Sequence, residues 1–134
     1  MKLKSIIIFI LMLGIVSSSY AAWWYSKDQV ISQLANAGTD YQVRVIAHYG
    51  AGSSIGENVY LNSNGRTDFG DVRFFEGITP LNYWMESMTT SSVAVFWVKL
   101  AGNLSLGAVT LTIKYGNPTA TTTSNGDNTL YFLR

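Results

Sequence analysis

Val109-Thr110-Leu111-Thr112-Ile113-Lys114-Tyr115 sets the fold class: Val, Leu, Ile and Tyr stand at every second position, with Thr, Thr and Lys between them. An extended chain turns successive side chains to opposite faces of its sheet, so this stretch reads as a strand with one oily and one wetted face. The same alternation runs through Val43, Val45, Ala47 and Tyr49 against Gln42, Arg44 and His48, broken only by Ile46. Val93 to Leu100 (VAVFWVKL) is apolar at both parities, as a central strand covered on each side would be. Further strands are expected over Trp24 to Ile31, Glu57 to Leu61, Asp71 to Phe75, Leu81 to Met88 and Asn128 to Leu133.

Turn chemistry separates these segments at 50–54 (GAGSS), 62–65 (NSNG), 89–92 (TTSS), 116–118 (GNP) and 124–127 (SNGD). Asn64-Gly65 and Asn125-Gly126 read as tight turns through positive φ. Short strands at this spacing define an all-β chain, a single antiparallel β-sandwich of jelly-roll-like kind. The helical candidate of this portion is Ser26 to Ala37, where Asp28, Val30, Ile31 and Leu34 are loosely amphipathic. The aromatic residues Trp23, Trp24 and Tyr25 just before it favour a strand followed by a loop.

The N-terminus has another logic. Lys2 and Lys4 precede an apolar run from Ile6 to Val16, then Ser17-Ser18-Ser19-Tyr20-Ala21-Ala22. This is the pattern of a signal peptide, with its apolar run helical and cleavage expected after Ala21. The run is shorter than the ~20 residues of a membrane span, so a retained anchor or pilin-type helix is the lesser reading. The expected organisation is a signal peptide over 1–21 and one β-sandwich domain over 22–134. The expected location is extracellular or at the cell surface, with no membrane attachment after cleavage.

Losing residues 1–21 of 134 leaves 113, a one-domain length. Lys2 and Lys4 leave with the signal, so seven basic residues face eight acidic ones. That balance carries no footprint for nucleic acid. The chain has no cysteine, which excludes disulfides, thiolate metal sites and a lipidated cysteine. Stability must therefore come from packing, for which 16 of the 18 aromatic residues remain after cleavage.

Several blocks together resemble a known family. They are Asp68-Phe69-Gly70-Asp71-Val72-Arg73-Phe74, Pro80-Leu81-Asn82-Tyr83-Trp84-Met85-Glu86-Ser87, Val95-Phe96-Trp97-Val98-Lys99, Leu111-Thr112-Ile113-Lys114-Tyr115-Gly116-Asn117-Pro118 and Ser124-Asn125-Gly126-Asp127. In this order they resemble the domain of unknown function 2341. The likeness begins near Trp24 and Tyr25 and passes through Asp40-Tyr41-Gln42-Val43. The resemblance implies an extracellular all-β module of bacterial and archaeal surface proteins, often followed by a concanavalin-like jelly roll and sometimes attached to proton-channel proteins. That companion would begin where this chain reaches Arg134, which weakens any carbohydrate role borrowed from it. The family supplies no catalytic residues, so candidate sites rest on the chemistry of the residues themselves.

His48 is the one histidine, and a strand histidine held by hydrogen bonds outweighs a catalytic one because its relay partners cannot be placed. Asp68, Asp71, Glu76, Glu86 and Asp127 could contain a glycosidase pair, but Asp71 and Arg73, two apart on one strand, read more simply as a same-face ion pair. No catalytic residue is assigned. Calcium is the candidate metal, through Asp68, Asp71 and Asp127, although it needs six or so converging oxygens and no cofactor is otherwise implied. Tyr83 and Trp84 alternate, so one ring faces the core and one the surface. A surface ring there could stack on a sugar, with Asn82 and Glu86 bonding hydroxyls, although core packing of Trp84 and Trp97 is the more economical reading. Trp23 and Trp24, at the new N-terminus, form an adhesive patch if exposed. Asn103-Leu104-Ser105 fits a glycosylation acceptor at Asn103.

The expectation is a non-catalytic recognition or adhesion module, with glycans or another cell-surface polymer as candidate partner. The rival is a self-assembling filament subunit that donates residues 22–31 to a neighbour's sheet edge. A small hydrolase is the third and least supported reading.

Overall fold

The computed structural model describes residues 22–131. The expected signal peptide over 1–21 lies outside the described residues, as does the end of the strand expected over 128–133. Among the described residues, eight strands form two sheets. They are β1 (Tyr25–Ile31), β2 (Gln42–His48), β3 (Asn58–Tyr60), β4 (Arg73–Glu76), β5 (Thr79–Pro80), β6 (Tyr83–Thr89), β7 (Val93–Lys99) and β8 (Val109–Tyr115), followed by a short helix, α1 (Gly126–Thr129). The first sheet runs β1-β8-β4-β5 and the second β3-β2-β7-β6.

Period two builds the core. Val45 and Ala47 of β2, Val59 of β3, Phe74 of β4, Tyr83 of β6, Ala94, Phe96 and Val98 of β7, and Val109, Leu111, Ile113 and Tyr115 of β8 all turn inward into one buried cluster. Phe74, Tyr83 and Phe96 meet edge to face across the two sheets, with ring centroids 5.2 to 5.8 Å apart. The pairs β1–β8 and β2–β7 are antiparallel and nested, one in each sheet, which rolls the chain around this core.

The structure corrects the sequence reading in several places. β3 pairs with β2 in parallel, because residues 49–57 carry the chain back before it re-enters the sheet beside Ile46. One pair of the sandwich is therefore not antiparallel. β7 is fully buried on one face only: Val93, Val95, Trp97 and Lys99 lie half-buried on the outer face. Asn125 does not make the expected tight turn but caps α1, its side chain accepting the Asn128 N–H at 3.0 Å, so the strand expected from Asn128 is replaced by a helical turn. Positive φ falls at Asn62 (51°) and Ser63 (60°) rather than at either Asn-Gly pair. The Asn64 N–H closes that turn on the Leu61 carbonyl at 3.0 Å. Residues 26–37 are strand then loop, as the aromatic residues before them suggested.

Candidate functional site

The loops at the start of β1 and the end of β8 are organised by one buried side chain. Asp71 is 0% exposed and precedes β4 rather than lying in it. Its carboxylate accepts the N–H groups of Arg66 (3.0 Å), Gly116 (2.7 Å) and Asn117 (3.1 Å). Its own carbonyl accepts the Trp23 indole N–H at 2.7 Å. A buried polar group is costly unless bonded, so each of these donors fixes a segment that would otherwise be a free loop.

The expected Asp71–Arg73 ion pair does not form. The strand begins at Arg73, and the period-two rule does not reach back to Asp71. The Arg73 guanidinium instead donates to the carbonyls of Gly70 (2.9 Å), Val72 (2.8 Å) and Thr121 and to the Tyr83 hydroxyl (3.1 Å), and it lies 5.7 Å from the Trp23 ring centroid. All of these partners are uncharged.

On this base stand Trp23 and Trp24. Trp23 is half-buried by its bond to Asp71, whereas Trp24 is 70% exposed. Tyr25 stacks on Tyr115, centroids 5.6 Å apart at 17°. The Trp24 and Tyr25 rings divide two surface clefts. One, of about 420 Å³, is lined among others by Asn64, Arg66, Thr67 and Pro118. The other, of about 500 Å³, is lined by Ala22, Trp23, Ser26, Phe75 and Lys114 as well as Trp24 and Tyr25. In the first cleft the Arg66 guanidinium is held by Asp68 at 2.9 and 2.8 Å and by the Pro118 carbonyl at 2.6 Å. Asp68 also accepts the Gly70 N–H at 3.0 Å. Bonding to Arg66 first, and to Gly70 second, holds the Asp68 carboxyl down at about 2.

The Trp84 cluster is built differently. Tyr83 points into the core, 2% exposed, with its hydroxyl accepting from Arg73 and from the Thr123 N–H, so its ring cannot meet a ligand. Trp84 lies on the outer face of the second sheet, half-buried, opposite Trp97 in the β6–β7 register. Helix α1 covers part of it: a Cβ at Gly126 would stand 3.4 Å from Trp84 Cδ1. Glu86, at the β6 bulge, accepts the Trp97 indole N–H at 3.1 Å. Asn82 is exposed just before the strand. Trp84, Trp97 and Glu86 thus come together, while Trp23 and Trp24 sit with the other sheet.

The remaining candidates are each separately engaged. The oxygens of Asp68 and Asp71 already accept N–H donors, and Asp127 is exposed on α1. Among the described residues, no three His, Cys, Asp or Glu side chains gather as a metal group. Glu76 accepts the N–H groups of Ala101 (2.7 Å) and Gly102 (2.9 Å). His48 bonds Asn58 Oδ1 at 2.8 Å and stacks on Tyr60 at 4.4 Å. Asn103 is exposed, its side-chain oxygen accepting the Ser105 N–H at 3.0 Å. Sequence reasoning missed Tyr25, Asn64, Arg66 and Lys114 as cleft residues. The turn at 62–65 marked a loop, but nothing in the sequence placed that loop beside β1.

Fold and site together define a β-sandwich domain whose loop end presents an exposed indole between two clefts. Residues 68–133 match the model of the family described as Domain of unknown function (DUF2341), and the family resemblance holds over that stretch. Trp23, Trp24, Tyr25 and Asn64 lie before the matched residues, whereas Asp71, Lys114 and Gly116 lie within them. Neither the curated proteins nor the solved structures gave a match to the chain.

Proposed function

We propose that this chain is an exported, non-catalytic recognition module of the cell surface that binds a polysaccharide across the Trp24 ridge. The observation that carries the reading is the Trp24 indole, 70% exposed between two clefts and set on a base that Asp71 fixes. An aromatic face stacks on the apolar face of a sugar ring. The signal-peptide pattern supports export. The pairing of β1 with β8 inside its own domain supports a self-contained binder over a subunit that donates its N-terminal strand.

The test is a binding screen of the exported protein against cell-wall and capsular polysaccharides, read by tryptophan fluorescence and calorimetry, beside its Trp24→Ala variant. Binding to at least one polymer that the variant loses is the expected result. Retention of every affinity by the variant, or no binding at all, rejects the reading.

A further inference from the structure

The two clefts beside Trp24 differ in charge. In the first, both charged groups are satisfied within the protein: Arg66 is paired with Asp68, and Asp71 is buried beneath backbone N–H groups. The second contains Lys114, whose ammonium lies 4.4 Å from the Phe75 ring centroid. Among the described residues the ion pairs are Arg44–Glu57 and Arg66–Asp68, so no carboxylate there pairs with Lys114. Its cross-strand neighbour is a second cation. Lys114 is register-paired with Arg73 on one side and with Ser26 on the other, and Arg73 is bonded only to uncharged acceptors.

Like charges opposite each other on a sheet are unfavourable, and among the described residues no carboxylate neutralises either one. Lys114 lines the cleft walled by Trp23, Trp24, Tyr25 and Phe75, where water is partly displaced and an incoming anion gains more than it would in bulk solvent. We infer that the Lys114 cleft is an anion-accepting subsite, and that the polymer crossing Trp24 is an acidic polysaccharide with a uronate carboxylate on Lys114 and a sugar without a required charge in the Arg66 cleft. The inference rests on the polysaccharide reading above and adds its substrate class. The walls of Trp23, Trp24 and Phe75 favour a sugar over an acidic peptide, because ring faces recognise a pyranose face rather than charge alone.

Calorimetry of the exported protein against polygalacturonate, fully methyl-esterified polygalacturonate and poly-L-glutamate tests it. Polygalacturonate is expected to bind about tenfold or more tighter than its ester, the scale of one charge-assisted hydrogen bond, with a difference that shrinks as salt is raised. Lys114→Gln should bring the acid down to the level of the ester, and Lys114→Arg should restore most of the difference. Equal binding of acid and ester, indifferent to Lys114→Gln but lost in Trp24→Ala, overturns the acidic class and leaves the polysaccharide reading standing. Poly-L-glutamate binding as tightly as polygalacturonate overturns the sugar specificity of the cleft. Binding to no glycan in this set or in the wider screen overturns both readings. A thermal melt of Lys114→Gln that matches the parent protein ensures that a lost affinity reports the subsite.

Discussion

Trp23 and Trp24 are neighbours in the chain with opposite roles, and one hydrogen bond separates them. The Trp23 indole N–H satisfies the carbonyl of buried Asp71, whereas the Trp24 ring meets mostly solvent. Trp23→Phe keeps the ring and removes the donor, so it should cost about 1–3 kcal/mol, the penalty for a buried acceptor left unbonded. Trp24→Ala should stay within about 0.5 kcal/mol of the parent protein. Urea unfolding of both variants checks the pair, and equal losses would contradict the division of labour. Asp68 supplies a pH dependence. Its carboxyl is lowered from 3.8 to about 2 in the folded protein, so the folded state holds its proton less tightly than the unfolded state. The stabilisation is then complete above pH 3.8 and lost as pH falls through about 2. With side chains 34% and 45% exposed, the Arg66–Asp68 pair is screened and contributes about 1 kcal/mol or less. Asp68→Asn should lower stability by that amount at neutral pH and make the loss between pH 4 and 2 shallower in a series of thermal melts.

At the scale of the element, β1 and β8 show what the sequence makes legible. Val109 to Tyr115 was readable to the residue because strict alternation has one solution: Leu111 and Ile113 are 0% exposed while Thr110 is exposed. β4 was misjudged by two residues, since Asp71 looks like a strand residue until the three N–H donors that converge on it are known. Those donors come from residues 5 to 46 positions away, and such long-range closure leaves no local trace. The α1 cap did leave one, Asn125 three residues before Asn128, but Asn-Gly chemistry points more strongly to a tight turn. Gly116 is where β8 and β1 depend on each other. It sits at φ +88°, and a Cβ there would fall 2.5 Å from Tyr25 Cδ2 and 3.3 Å from the Asn64 carbonyl oxygen. Gly116→Ala therefore combines backbone strain with a clash against the ring that stacks on Tyr115, and should cost about 2 kcal/mol or more. Near-ultraviolet circular dichroism and denaturant melts should show both the lost tyrosine packing and the lost stability. A neutral substitution would mean that Tyr25 is not held there.

Considered as a whole molecule, the sandwich has four sheet edges, and how each is closed determines whether it assembles. β5 has two residues and ends at Pro80, which has no N–H to donate, and β3 has three. β6 is bulged between Met85 and Ser87, and its first half is occupied by residues near α1: the Asn125 N–H bonds the Tyr83 carbonyl at 2.8 Å, and the Met85 N–H bonds Ser124 Oγ at 2.7 Å. β1 is seven residues long, as is β6, and carries two charged side chains. Lys27 reaches across to the other sheet, to the Tyr60 carbonyl and to Ser54 Oγ at 3.4 Å, while Asp28 stays exposed and accepts the Thr112 hydroxyl at 2.6 Å. Charges, short strands and bulges are the devices that keep edges from pairing with other chains. The protein should therefore sediment as a monomer at millimolar concentration and form no filaments under the electron microscope. Asp28→Val, which places an apolar β-branched residue two positions before exposed Val30 on the same face, should be the variant that begins to associate. Filaments or dimers of the parent protein built through β1 would overturn the monomer and restore strand-mediated assembly as its function.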